Sequence, residues 1–174
     1  MKIRGKIPLL LWRINMSFTN TIPITKDGYE KLQTELKDLK SVQRPKVIQE
    51  IAGARAHGDL KENAEYHAAR EKQGFIEARI TELESSLSRT QIIELPKGDI
   101  ESVRFGALVT LSDEETSTEQ KFRIVGDLEA DISKKLISVS SPIAKAIMGK
   151  KIDDLVLIKA PSGTKEYVVP EIEF

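Results

Sequence analysis

The chain has 174 residues, 40% hydrophobic and 31% charged, enough to bury one modest core or a small core with an extended element attached. Lysine plus arginine and aspartate plus glutamate both number 27, and this zero formal charge argues against binding bulk nucleic acid through an overall field, though not against a local basic face. The absence of cysteine excludes disulfides, thiolate chemistry and zinc–thiolate sites, and two histidines, His57 and His67, are too few for a histidine-rich metal site. The expected class is a soluble cytoplasmic protein.

Residues 1–15 stand apart. Lys2, Arg4 and Lys6 precede the apolar run Ile7-Pro8-Leu9-Leu10-Leu11-Trp12, in the outline of a signal peptide. The run is short, contains Pro8 and lacks a small-residue cleavage site. It is also too short to span a bilayer. The expectation is a disordered extension ahead of Met16, where the domain pattern begins.

Residues 16–95 read as an antiparallel helical arm. Thr25 is the expected N-cap, after which Tyr29, Leu32, Leu36 and Leu39 recur at spacings of three and four, roughly continued by Val42, Val47 and Ile51. Pro45 lies inside this run and predicts a bend or a tightened turn. A second stripe, Ile76, Ile80, Leu83 and Leu87, follows Gly58, and Pro96 with Gly98 marks its close. Folded back near His57-Gly58, the stripes place Leu32 opposite Leu83, Leu39 opposite Ile76, Val47 opposite Ala68 and Ile51 opposite Ala64. Large residues then meet near the base and alanines toward the end, as a two-helix coiled coil requires. At ~1.5 Å per residue such an arm is on the order of 45–50 Å long.

The fold-back stretch is Gly58-Asp59-Leu60-Lys61-Glu62-Asn63-Ala64-Glu65-Tyr66. Asp59 and Glu62 form a capping-box variant, and Gly58 suits the left-handed residue that ends the first helix. Capping is the commoner use of such a pattern. The carboxylates also suit Mg²⁺, which is held by one or two acids together with waters and substrate phosphates. Asp59 and Glu62, with Glu65 in reserve, would make such a half-site and bind metal weakly alone. Beside another enzyme's metal and an RNA phosphate, they would complete a two-metal arrangement. Lys37, Lys40, Arg44, Lys46 and Arg55 outnumber Asp38 and Glu50 on the first helix, with Arg70 and Lys72 across the hairpin. An ordinary solvated face with intrahelical pairs is the simpler reading, and a track for RNA phosphates the functional one.

The run Ala54-Arg55-Ala56-His57-Gly58-Asp59-Leu60-Lys61-Glu62-Asn63-Ala64-Glu65-Tyr66-His67-Ala68-Ala69-Arg70-Glu71 resembles the tip signature of bacterial Gre transcript-cleavage factors. The likeness runs from about Ile24 to Phe174, and Leu60-Lys61 and Glu65 match the GreA type, which implies short cleavage products. The resemblance implies a factor that inserts its coiled coil through the secondary channel of bacterial RNA polymerase and stimulates hydrolysis of backtracked RNA by the polymerase itself. It implies that Asp59 and Glu62 hold a second Mg²⁺, shared with the polymerase, and its water. It further implies that Arg70, with Lys61 and Arg55, lies toward the nascent RNA 3′ end. The factor would be a monomer, would need no membrane and would not itself be an enzyme. The 1–15 extension departs from the family pattern.

From residue 96 to 174 the period becomes two. Val103 to Leu111, Gln120 to Val125, Leu136 to Val139, Ile152 to Lys159 and Tyr167 to Ile172 read as strands. Ser141-Pro142 opens a short helix closed by Gly149. The expected fold is α+β, a coiled-coil arm followed by a small domain with a mainly antiparallel sheet. The resemblance implies an FKBP-like fold and a dock on the rim of the polymerase channel, in which Ser141 and Pro142 belong to a family-typical run. Capping and packing are the simpler account of that run. Phe105, Phe122, Tyr167 and Phe174 are readily used in strand cores, so prolyl isomerase activity does not follow from the fold. Two rivals remain. A channel-binding regulator that inhibits without stimulating cleavage is disfavoured by the intact acids, and an adaptor unrelated to polymerase is disfavoured by the full tip run.

Overall fold

The computed structural model describes residues 21–56, 62–94, 101–160 and 163–174. The 1–15 extension, Gly58, Asp59 and Lys61 therefore lie outside the described residues. The first helix begins as its cap predicts: the Thr25 hydroxyl accepts a hydrogen bond from Gly28 N at 3.0 Å and opens α1 (Lys26–Asp38). At Pro45 the chain widens instead of tightening. Leu39–Gln43 forms a π turn, with Arg44 N donating to the Leu39 carbonyl, before α2 (Arg44–Arg55) resumes. Pro45 has no N–H to offer the Ser41 carbonyl, and its ring would collide with that oxygen in a regular helix. The wide turn relieves both problems by adding one residue. That residue also restores phase, so that Leu39 and Val47 are buried on one seam.

The returning helix α3 (Ala64–Leu87) lays Ala69, Ile76, Ile80 and Leu83 against Leu39, Val47 and Ile51. Leu32, Leu36 and Tyr66 pack at the margins of this seam. Ala64 and Ala68, expected opposite Ile51 and Val47, are exposed, and Ala69 and Tyr66 take the inner face. Ala69 lies seven residues before Ile76 and shares its face of α3, whereas Ala68 is turned ~100° away from it. Ion pairs cross the hairpin outside the seam. The Arg44 and Arg79 guanidinia each grip a carboxylate at two points, Glu77 at 2.7 and 2.5 Å and Glu35 at 2.7 and 3.1 Å. Lys72 meets Glu50 at 2.9 Å, and Lys40 meets Glu84. Such half-exposed pairs contribute ~0.2–1 kcal/mol each, less than the seam, but the forked contacts restrict rotation of one helix about the other.

Two short strands escaped the periodicity. Ile22–Ile24 (β1) and Thr90–Ile92 (β2) pair in parallel at the arm's root, where β-branched side chains favour extended backbone. Beyond them lies a five-stranded sheet of Leu108–Asp113 (β3), Glu119–Val125 (β4), Leu136–Ser138 (β5), Leu155–Ala160 (β6) and Gly163–Glu173 (β7). Their order is β5-β4-β3-β7-β6, with every pairing antiparallel except β4 with β5. Val103, within the expected first strand, is buried without being in β3, and its N–H donates to the Lys150 carbonyl at 2.7 Å. The short helix α4 (Pro142–Ile147) closes one face, capped by the Ser141 hydroxyl on Ala144 N at 3.2 Å. Ala144 and Ile147 from α4 join Val109, Ile124, Val156 and Val169 in the core. The architecture is α+β: a helical hairpin and an antiparallel-dominated sheet domain.

Candidate functional site

Asn63 closes the hairpin's far end. Its Oδ1 accepts from Tyr66 N at 3.0 Å while its Nδ2 donates to the Ala54 carbonyl at 2.9 Å, so one side chain caps α3 and ties it to the end of α2. Sequence reasoning passed over it. Asn directly before a helix is a strong cap signal, but the Asp59–Glu62 spacing drew the assignment upstream. With α3 starting at Ala64, Glu62 stands in a turn ahead of the helix and is exposed to solvent. It is not the third residue of a capped helix.

Glu65 lies exposed in the first turn of α3. Among the described residues, no cluster of three His, Asp or Glu side chains could hold a metal ion. Glu62 is a hard oxygen donor exposed to solvent; a single carboxylate of this kind can take part in a Mg²⁺ shell only where other ligands are supplied.

The basic residues divide into two groups. Lys40, Arg44 and Lys72 are engaged in the ion pairs that brace the hairpin, so much of the expected track has a structural role. Arg55 and Arg70 remain on the surface near the tip. The Arg55 guanidinium lies 5.8 Å from the centroid of the half-buried Tyr66 ring, a cation–π contact at an exposed position. His67 meets the same ring edge-on at 5.6 Å. Arg70 donates to Gln73 Oε1 at 2.7 Å along its own helix. The structure therefore brings Arg55, Glu62 and Arg70 to one end of the arm, with Asp59 and Lys61 in the segment between α2 and α3.

At the other end of the molecule the sheet and α4 enclose an apolar groove of about 540 Å³, floored by Leu111, Phe122 and Ile158 and lipped by Ile132, Pro142 and Ile143. Pro142 is exposed at this lip, while the Ser141 hydroxyl is committed to the helix cap. The loop before it is held by Asp127, whose Oδ1 accepts from the Ser138 hydroxyl and from the Ser140 hydroxyl at 2.7 Å. Those two donors, Ser138 first, hold the Asp127 carboxyl below the usual carboxylate range.

Comparison with known proteins accounts for both halves. Residues 22–92 match the family model for the N-terminal part of transcription elongation factors, and residues 97–174 match that for the GreA/GreB C-terminal part. The chain is 55% identical over 152 residues to transcription elongation factor GreA of Rickettsia bellii, covering 87% of this chain and 94% of that one. It is 56% identical over 153 residues to the GreA of Xanthomonas axonopodis pv. citri, covering 87% and 97%. The crystal structure of GreA factor homolog 1 (Gfh1) of Thermus thermophilus aligns with 89% of this chain and all of its own, at 27% identity and a TM-score of 0.41. With family models matching almost the whole chain beyond the extension, the protein belongs to the GreA/GreB family of transcription elongation factors.

Proposed function

We propose that this elongation factor passes its helical arm into the secondary channel of bacterial RNA polymerase and stimulates the polymerase's own Mg²⁺-dependent cleavage of backtracked RNA. The observation that carries this reading is an exposed acid, Glu62, at the far end of a hairpin braced by its seam and its ion pairs. A short, fully packed domain would have no use for a stiff projection ending in carboxylates.

Asp59 and Glu62 are the proposed ligands, completing a Mg²⁺ shell inside the polymerase and orienting a water toward the RNA phosphate. The ion, when bound, supplies charge stabilisation and a more acidic water. Asn63 contributes by fixing the start of α3 to the end of α2, directly beside Glu62. The chain itself is not the catalyst. Ser141 and Pro142, beside the groove, are the proposed dock on the channel rim, and the factor acts as a monomer in the cytoplasm. Among the described residues, no helix is long and apolar enough to cross a membrane.

The direct test adds purified protein to halted, backtracked complexes and follows RNA length. Shortening that requires both Mg²⁺ and the factor is expected; occupancy of polymerase with no shortening would make the protein an inhibitor instead.

Arg70 and Arg55, with Lys61, are the proposed contacts to the RNA 3′ segment. Arg70→Ala is expected to lower cleavage several-fold, ~10-fold at most, with the deficit depending on salt as phosphate contacts do. A loss equal at all salt concentrations would assign Arg70 to packing along α3.

A further inference from the structure

Among the described residues, the start of the arm packs against a three-residue turn of the sheet domain. Asp127–Glu129 forms the first of two 3₁₀ turns between β4 and β5, and its two acids serve opposite neighbours. Asp127 holds Ser138 and Ser140, directly before the Ser141–Pro142 helix start. Glu129 reaches the arm. Its Oε2 accepts from Thr25 N at 2.9 Å and from Gly126 N at 3.2 Å, and its Oε1 accepts from the Thr25 hydroxyl. That hydroxyl in turn caps α1 through Gly28 N. The carboxylate of one domain thereby sits at the positive end of the other domain's first helix, bonded through the residue that starts it.

Two glycines show how closely the parts approach. A Cβ at Gly28 would fall 2.0 Å from Glu129 Oε1, and one at Gly126 would fall 2.1 Å from the Pro23 carbonyl oxygen. Gly126 has φ −69 and ψ 162, which any residue adopts, so the demand there is for space and not for backbone freedom. Thr25, Gly28 and Gly126 are all buried. Long domain contacts ordinarily spread over many side chains; here a carboxylate and three backbone or hydroxyl donors are concentrated at the root of a long lever.

We propose that Glu129 is a positioning residue: it fixes the direction of the arm relative to the Ser141–Pro142 face, so that the acidic tip is aimed when that face is docked. Its effect on function rests on the polymerase reading above, whereas its effect on domain geometry does not. A small rotation at the root displaces the far end of a helix of this length by many times the movement at the joint. Glu129 acts through Thr25 and touches neither RNA nor metal.

The chain has no cysteine, so Lys46→Cys on the arm and Glu114→Cys on the sheet domain give a unique pair for spin labels. In the otherwise native protein, pulsed electron–electron distance measurement is expected to give one narrow distribution. Glu129→Ala should at least double its width while the circular dichroism and melting of each half stay close to native. Thr25→Val should broaden it likewise, and Thr25→Ser, which keeps the hydroxyl, should restore the native width. In backtracked complexes, Glu129→Ala should bind polymerase within about twofold of native yet cleave ~10-fold more slowly at saturation. An unchanged distance distribution in Glu129→Ala overturns the latch. A broadened distribution with native cleavage at saturation overturns the positioning role. If the native protein stimulates no cleavage at all, the function proposed above fails, and the distance measurement still decides whether Glu129 holds the arm.

Discussion

Asp59→Ala and Glu62→Ala are each expected to reduce stimulated cleavage by about 10²–10³-fold at saturating factor, the scale seen when a single transition-state charge contact is removed. Binding to polymerase should change less than about twofold, because in the proposed complex the arm and the sheet domain would supply most of the contact area. The split matters, because a residue needed only for the chemical step lowers the rate at saturation, whereas a docking residue raises the concentration required. Raising Mg²⁺ should partly rescue Glu62→Ala if the side chain's task is to hold the ion. Gel analysis of RNA from halted complexes across a Mg²⁺ titration reads all of this. Native-like cleavage by both variants would remove these acids from the mechanism.

Leu83→Ala should be the most damaging single truncation in the arm. Leu83 is 2% exposed and packs in the seam between the helices, so its loss leaves a cavity and is expected to cost ~2–5 kcal/mol. A two-helix hairpin has few other buried apolar groups to share that loss. The protection of α3 amides against hydrogen exchange should collapse while that of β3, β4 and β7 persists. Phe75→Ala is the control: Phe75 lies on the same helix but is 69% exposed, and its truncation should change stability by less than about 0.5 kcal/mol. Equal protection in the two variants would mean that the seam does not hold the arm together.

The hairpin was legible because its information is local and periodic. The stripe Ile76, Ile80, Leu83 is the buried face of α3, and the Thr25 cap stands where its hydroxyl predicted. The strands of the sheet domain were legible in order, with edges displaced by several residues in β3 and β6. What could not be read were features that depend on partners distant in sequence. β1 and β2 are three residues each and form only because the chain ends of the arm are brought together. The widened turn before Pro45, which keeps Leu39 and Val47 on one seam, is a feature no apolar spacing reveals. No local pattern marks Glu129, because its hydrogen bonds to Thr25 join residues 104 apart in sequence. At the tip, Glu62 is exposed as a fold-back residue should be, but the cap of the returning helix belongs to Asn63 and not to the upstream acid.

The surplus residue in the Leu39–Gln43 turn has an influence that reaches past its own neighbourhood. Each residue added to or taken from a helix swings everything beyond it by ~100° about the axis. The wide turn at Pro45 takes up that swing locally, so the later side chains of the outbound helix keep the bearing set by the seam. Losing the proline while keeping the surplus would instead let the turn wind regularly, and the business end would then face a different wall of whatever passage it entered.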